Sequence, residues 1–273
     1  MIRPSAVAGR FYPDDPERLR AAVDSLLQDG APTKKIRARA CVVPHAGYVY
    51  SGSVAGEVYR RIEMPSRVIL IGPRHFPRGA SLAIVSKGAW QTPLGNAPID
   101  SALAEKIMRA FPALKEDAVA HASEHSLEVQ LPFLQRAAPS FTFVPIVIGP
   151  ARLETLEALG EALAAVIAEE TATDGGRVLL VASSDMNHYE SDSVTRVKDR
   201  KAIDAILALN AQKLFDTVRE ENISMCGYAA TAAVIVAARR LGATQGELIR
   251  YATSGEVNGD LQEVVGYAGI LVR

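Results

Sequence analysis

Arg67-Val68-Ile69-Leu70-Ile71-Gly72-Pro73-Arg74-His75 is the stretch that decides the fold. A short apolar run that stops at glycine and proline reads as a buried strand feeding a loop, and the histidine falls just past its end. The arrangement recurs twice. Ala40-Cys41-Val42-Val43 stops at Pro44-His45-Ala46-Gly47, and Arg177 to Ala182 runs into Ser183-Ser184-Asp185-Met186-Asn187-His188. Polar, chemistry-bearing residues thus sit at the ends of three separate apolar strands.

Outward from these strands, the spacers have helix length. Asp14-Asp15-Pro16-Glu17 starts a helix to about Gln28, and Ser51 and Ser53 offer caps for one ending near Ile62. Asp100 caps a helix to about Phe111, and Glu124 to Ala137 is expected to be helical with Pro132 inside it. Further helices are expected over Leu153 to Glu169, Ser193 to Leu209, Ala211 to Glu221 and Gly227 to Arg240. Ser81 to Ser86, Phe141 to Ile148, Leu248 to Ser254 and Gly266 to Val272 read as additional strands, and Trp90-Gln91-Thr92-Pro93-Leu94-Gly95 as a reversing loop. Strands alternating with helices predict an α/β fold: a mostly parallel or mixed central sheet flanked by helices, in which ligands bind at the carboxyl ends of the strands. No solenoid repeat and no long linker divides the chain, so residues 1–273 are expected to form a single domain.

Composition removes several function classes. With 48% hydrophobic and 22% charged residues, the chain is neither disordered nor fibrous. Thirty basic residues against 31 acidic ones, with no long run of one sign, give no footprint for nucleic acid. The opening Met1-Ile2-Arg3-Pro4-Ser5 lacks the apolar stretch of a signal peptide, and the weakly charged stretch Met225 to Ala238 is too short to cross a bilayer. Two cysteines, Cys41 and Cys226, do not make a disulfide framework, and a reducing, cytoplasmic setting is expected. Neither a dinucleotide fingerprint nor a phosphate-binding Gly-Lys loop is present.

Of five histidines, His45, His75 and His188 lie in the three strand-end loops. Such loops converge on one crevice in an open α/β sheet, so imidazoles remote in sequence can meet around a metal. Imidazole suits Fe, Cu or Zn. Asp185 either ligates that metal, holds an imidazole in one tautomer, or merely caps the following turn. Cys226 stands before the expected helix from Gly227, where a helix N-terminus lowers a thiol's pKa and favours the metal-binding or nucleophilic thiolate. Cys41, inside its apolar strand, reads as inert. His121 and His125 are four apart, which on a helix puts both rings on one face. His121 is expected on a solvated helix start capped by Ser123, while Glu124 and His125 are expected to support a metal ligand or touch substrate. Tyr48 and Tyr50 either contact substrate or pack, and Arg74 either clamps an anionic substrate or faces water.

Taken in order, Val43-Pro44-His45-Ala46-Gly47-Tyr48, Gly72-Pro73-Arg74-His75, Glu124-His125-Ser126-Leu127-Glu128, Leu131-Pro132-Phe133, Ser183-Ser184-Asp185 with His188, and Met225-Cys226-Gly227 resemble the Memo family. The opening Arg3-Pro4-Ser5-Ala6-Val7-Ala8-Gly9-Arg10-Phe11-Tyr12-Pro13 resembles the family's N-terminal signature, so the likeness spans essentially the whole chain. It implies a fold similar to the class III extradiol (LigB-like) dioxygenases and a metal cleft built by His45, His75, Asp185, His188 and Cys226. The dioxygenases use two histidines and a glutamate on Fe(II); this sequence, like the family, has a cysteine in the cluster. Members of the family are associated with iron or copper and redox chemistry, and animal members with phosphotyrosine peptides. Prokaryotic relatives accompany a radical-SAM protein and an AMMECR1-like protein, which implies those pathway partners.

The leading expectation is a mononuclear non-haem Fe(II) protein, with Cu or Zn as alternatives, carrying out dioxygenase-type or other redox chemistry on a small substrate, aromatic compounds being one candidate class. His45, His75 and Cys226 are the expected ligands, Asp185 completes or orients the set, and His188 acts as acid and base. Two other readings use the same residues. In one, Cys226 is the nucleophile of a hydrolase or transferase. In the other, the cleft binds a peptide or phosphate-bearing ligand without turnover.

Overall fold

The structure is a computed structural model that describes residues 1–28, 34–174 and 176–273. Its elements begin with β1 (Ile2–Arg3), α1 (Pro16–Gln28), β2 (Ala40–Val43), α2 (Tyr48–Arg61), β3 (Arg67–Pro73), β4 (Leu82–Ile84), β5 (Ala89–Thr92) and β6 (Gly95–Pro98). The chain continues through α3 (Ser101–Ala110), β7 (Lys115–Glu116), a 3-10 turn (Glu128–Gln130), α4 (Leu131–Ala137), β8 (Thr142–Ile148), α5 (Leu153–Asp174) and β9 (Val178–Ser183). It ends with β10 (His188–Glu190), α6 (Asp192–Leu207), α7 (Ala211–Glu220), α8 (Tyr228–Arg240), β11 (Gly246–Thr253), α9 (Gly255–Asn258) and β12 (Val264–Val272).

The apolar runs do form strands covered on both faces. Every residue of β2 and β9 is buried, as is every residue of β3 after Arg67. Successive side chains enter opposite layers: Ala40, Val42, Ile69 and Ile71 join one core, and Cys41, Val43, Val68 and Leu70 the other. The first core also takes in residues of α3, α5, α6, α7 and α8; the second takes in residues of α1, α2 and α4. Gly160 on α5 allows α8 to come close, because a Cβ there would lie 2.6 Å from the Ala233 carbonyl oxygen.

Among the described residues, nine strands make one mixed sheet in the order β10-β12-β2-β9-β3-β8-β4-β7, with β11 beside β12. β2, β9, β3 and β8 are parallel, while β12 and β4 flank them antiparallel. β9, late in the chain, thus lies between β2 and β3. With neighbouring strands about 4.8 Å apart, the loops leaving their carboxyl ends are adjacent in space. Those are the loops that carry His45, Asp185 and His75. The expected reversing loop at Trp90 is the β5–β6 hairpin, whose turn uses Gly95 at φ 115°.

Two expected helices begin elsewhere. α2 starts at Tyr48, three residues before Ser51, whose hydroxyl donates to the Ala46 carbonyl. The expected helix from Glu124 starts only at Leu131, so Pro132 lies in its first turn, where a missing N–H costs nothing. Residues before it are held differently: the Glu124 carboxylate accepts from the Ser126 N–H, and Ser126 Oγ donates to the Pro73 carbonyl. This pulls the segment across the end of β3. Gly72 permits the crossing, since a Cβ there would meet Leu127 and Ser126 at under 3 Å.

Glu128, fully buried, pins the opening segment. Its carboxylate accepts from Arg3 Nη1 (2.6 Å), the Ala6 and Val7 amides and the Tyr12 hydroxyl. Arg3 in turn lies over the Trp90 ring, 4.1 Å from its centroid.

Candidate metal centre

His45 is buried, and its hydrogen bonds determine its tautomer. Ser183 Oγ donates its only proton to the Ser126 carbonyl at 2.6 Å and accepts from Gln130 Nε2, which also donates to the Pro44 carbonyl. Ser183 Oγ therefore accepts from His45 Nδ1–H, 2.9 Å away. The lone pair is left on Nε2, which lies 3.3 Å from Cys226 Sγ. Burial, with the neighbouring imidazoles of His125, His75 and His188, drives the His45 pKa well below the ordinary value. His45 is thus a neutral imidazole in the form a metal requires.

His75 follows the same rule with a different anchor. Its Nδ1–H donates to Glu124 Oε1 at 2.8 Å, and its backbone N–H donates to Oε2 at 2.6 Å. Burial raises the Glu124 pKa, but the His75 hydrogen bond and charge and the Ser126 amide outweigh it and hold the carboxylate at about 2. An ionised carboxylate behind an imidazole fixes the ring and makes it a stronger ligand. The His125 ring stacks on His75 at 4.5 Å with 21° between planes, and Phe11 covers it from the other direction at 4.8 Å. Burial pushes His125 down to about 4.

One ligating atom from each of His45, His75 and His125 lies within 4.8 Å of the other two. Zinc–imidazole distances of about 2.0–2.1 Å place two ligand nitrogens at most about 4.2 Å apart. The three imidazoles are therefore a slightly open form of a site that fits a metal ion. His125, read from sequence as a supporting residue, is part of this donor set.

The other expected residues border it. Asp185 Oδ1 accepts the His45 backbone N–H at 2.7 Å, so its carboxylate braces the loop that carries His45. Burial raises the Asp185 pKa to about 6 against the opposing His45 amide. His188 Nδ1–H donates to the Ser224 carbonyl at 2.9 Å, which again leaves Nε2 unprotonated. Cys226 Sγ lies by His45 and 3.8 Å from the Asp185 carbonyl oxygen. The expected helix-end depression of this thiol is overturned: burial, then Asp185, pushes its pKa up. The helix itself, α8, begins two residues later.

Two side chains that the sequence leaves with two readings take fixed places, and one expectation needs correction. Tyr48 does not line the cleft; it is buried, donates to the Val129 carbonyl and packs on Phe133. Arg74 Nη1 donates to the Arg78 and Gly79 carbonyls, so the guanidinium ties its own loop. His121 and His125 share no helix face, since neither lies in a helix. His121 is fully buried against Trp90, and although it faces the Ala83 carbonyl, neither ring nitrogen makes a hydrogen bond of normal geometry. Burial, then Arg3, lowers its pKa to about 4.

That burial sets a pH dependence. In the unfolded chain the imidazole takes up its proton near pH 6.5; in the fold it does so near 4. Stability is therefore complete above 6.5 and lost as pH falls towards 4. His121→Leu removes the loss: from pH 7 to pH 5 its stability relative to wild type rises by about 2 kcal/mol. Urea denaturation at the two pH values measures this, and a pH-independent difference refutes it.

Fold and site together define an α/β protein that gathers histidines and a cysteine over the carboxyl ends of three adjacent parallel strands. The chain belongs to the Memo family, matching the profile described as Memo-like protein over residues 3–271. A MEMO1 family protein of Methanopyrus kandleri is 42% identical over 289 residues, covering 100% of this chain and 99% of the relative. One of Aquifex aeolicus is 44% identical over 271 residues, covering 99% and 98%. In fold, the chain is similar to an uncharacterized protein from Escherichia coli K12, with a TM-score of 0.55 at 15% identity over 85% of this chain and 99% of that one. Among the described residues, no helix is long and apolar enough to cross a membrane.

Proposed function

We propose that this chain holds a mononuclear non-haem metal ion, Fe(II) before Cu or Zn, and uses it for redox or dioxygenase-type chemistry on a small aromatic substrate. The observation that supports this reading most is the donor geometry: one ligating atom from each of His45, His75 and His125 lies within 4.8 Å of the other two, and the Nδ1 of His45 and of His75 is committed to a fixed acceptor. His45, His75 and His125 would hold the ion, with Cys226 beside His45 as a further donor. Bound there, iron(II) supplies redox and Lewis-acid chemistry.

The chain's own residues do the rest. Glu124 orients His75, Asp185 braces the His45 loop, and His188 Nε2 accepts and returns a substrate proton. Burial lowers the pKa of His45 and His125, which keeps these two imidazoles neutral beside each other. The nucleophilic-cysteine reading loses support, because without a cation the surroundings of Cys226 favour the thiol over the thiolate, whereas an ion bound beside it would itself stabilise the thiolate. With the metal reading go a reducing, cytoplasmic setting and the radical-SAM and AMMECR1-like pathway partners that the family resemblance implies.

Metal analysis of protein purified without oxygen, followed by oxygen uptake with a panel of catechols, tests the proposal. About one ion per chain and catechol-dependent uptake are expected. Failure to retain Fe(II), Cu or Zn after reconstitution removes the metal reading; retention without uptake across the panel removes the dioxygenase reading alone.

A further inference from the structure

Three residues other than glycine have a left-handed backbone among the described residues: Tyr189 at φ 60°, Leu209 at φ 51° and Asn222 at φ 50°. Leu209 and Asn222 directly follow the last turns of α6 and α7, where such a residue ends a helix. Tyr189 has no such reason. It lies in the middle of β10, at a shift of register against β12 between His188 and Glu190. An aromatic side chain in this conformation is strained, and bulges near functional sites re-aim side chains.

The flanking residues hold it there. The Asn187 backbone N–H donates to Asp199, and its side-chain amide donates to Glu190 and accepts from the Ser224 backbone N–H. His188 is clamped at both its backbone N–H and its ring Nδ1 by Ser224. What the strained residue gains is exposure: Tyr189 is 75% exposed, with its ring centroid 5.7 Å from that of His188. Exposed aromatic rings also follow the other two strand-end histidines, Phe76 directly after His75 and Tyr50 five residues after His45.

We infer that Tyr189 is a specificity-determining residue, a stacking surface at the mouth of the histidine cleft for the flat ring of an aromatic substrate whose polar groups reach the metal site. The inference rests on the metal-cleft reading above and adds the residue that recognises the ring. Strain that the neighbouring hydrogen bonds enforce is then the means of presenting a large ring outside the fold. Ring-on-ring contact of this kind changes affinity by about 3- to 10-fold.

The test is anaerobic titration calorimetry of the Fe(II)-loaded chain with two metal-chelating probes, catechol and the non-aromatic acetohydroxamate. Tyr189→Ala and Tyr189→Gly are expected to weaken catechol by about 3- to 10-fold, with acetohydroxamate changed less than about twofold, while Tyr189→Phe keeps both. The glycine variant also releases the backbone strain, so its melting temperature is expected to rise while catechol affinity falls, separating recognition from folding. Unchanged catechol affinity in the alanine variant, or equal weakening of both probes, overturns the inference and leaves the metal reading standing. If loaded wild type binds neither probe, the metal-cleft reading falls and takes the inference with it.

Discussion

Replacing Glu124 by glutamine is expected to lower metal affinity about 10- to 100-fold, the usual effect of removing a carboxylate that orients a ligand imidazole. The magnitude follows from three hydrogen bonds that one ionised group accepts. The His75 ring, the His75 amide and the Ser126 amide all donate to it at 2.6–2.9 Å. Glutamine has one accepting oxygen, and its NH2 would face at least one of these donors. With its oxygen at the Oε1 position the glutamine holds the His75 ring only through a neutral acceptor and opposes the His75 amide; the reverse orientation sets the NH2 against the ring Nδ1–H and the Ser126 amide. Competition with a chromophoric chelator measures the affinity. An unchanged value with Fe(II) or Zn(II) shows that Glu124 does not serve the metal.

Glu128→Ala is expected to cost about 3–5 kcal/mol of stability, read as a lower urea midpoint. The substitution leaves the Arg3 guanidinium, two backbone amides and the Tyr12 hydroxyl without their acceptor in a site where Glu128 has no exposure. Glu128→Gln keeps one oxygen and is expected to lose less. The opening segment also carries Phe11, which covers His125, so the alanine variant should weaken metal binding as well. A loss below about 1 kcal/mol would mean the segment is held by its apolar contacts instead.

Much of the architecture was legible because a strand buried on both faces leaves an uninterrupted apolar run, and β2, β3 and β9 all do so. Their histidines and Asp185 were legible as neighbours because strand ends in such sheets converge. His125 was not assigned to the donor set, since it lies at no strand end. Its place depends on Glu124 bonding the backbone across the end of β3, a contact between residues 49 positions apart that leaves no periodic trace. The same contact explains the misplaced helix start, where Glu-His-Ser-Leu-Glu has helical composition but its carboxylates are committed elsewhere. Arg74 and Tyr48 show the converse limit: sequence position near a histidine does not determine where a side chain points. Cys226 shows a local rule, the helix end, outweighed by burial that only the assembled fold creates.

The order of strands has a consequence for biosynthesis. β2 and β3 share no edge; each pairs with β9, whose residues 178–183 are made after nearly two thirds of the chain. A nascent polypeptide that has left the ribosome only as far as α5 carries His45, His75 and His125 but lacks the strand that seats the first beside the second. A metal site built from these three histidines would therefore be completed only after translation of that late segment.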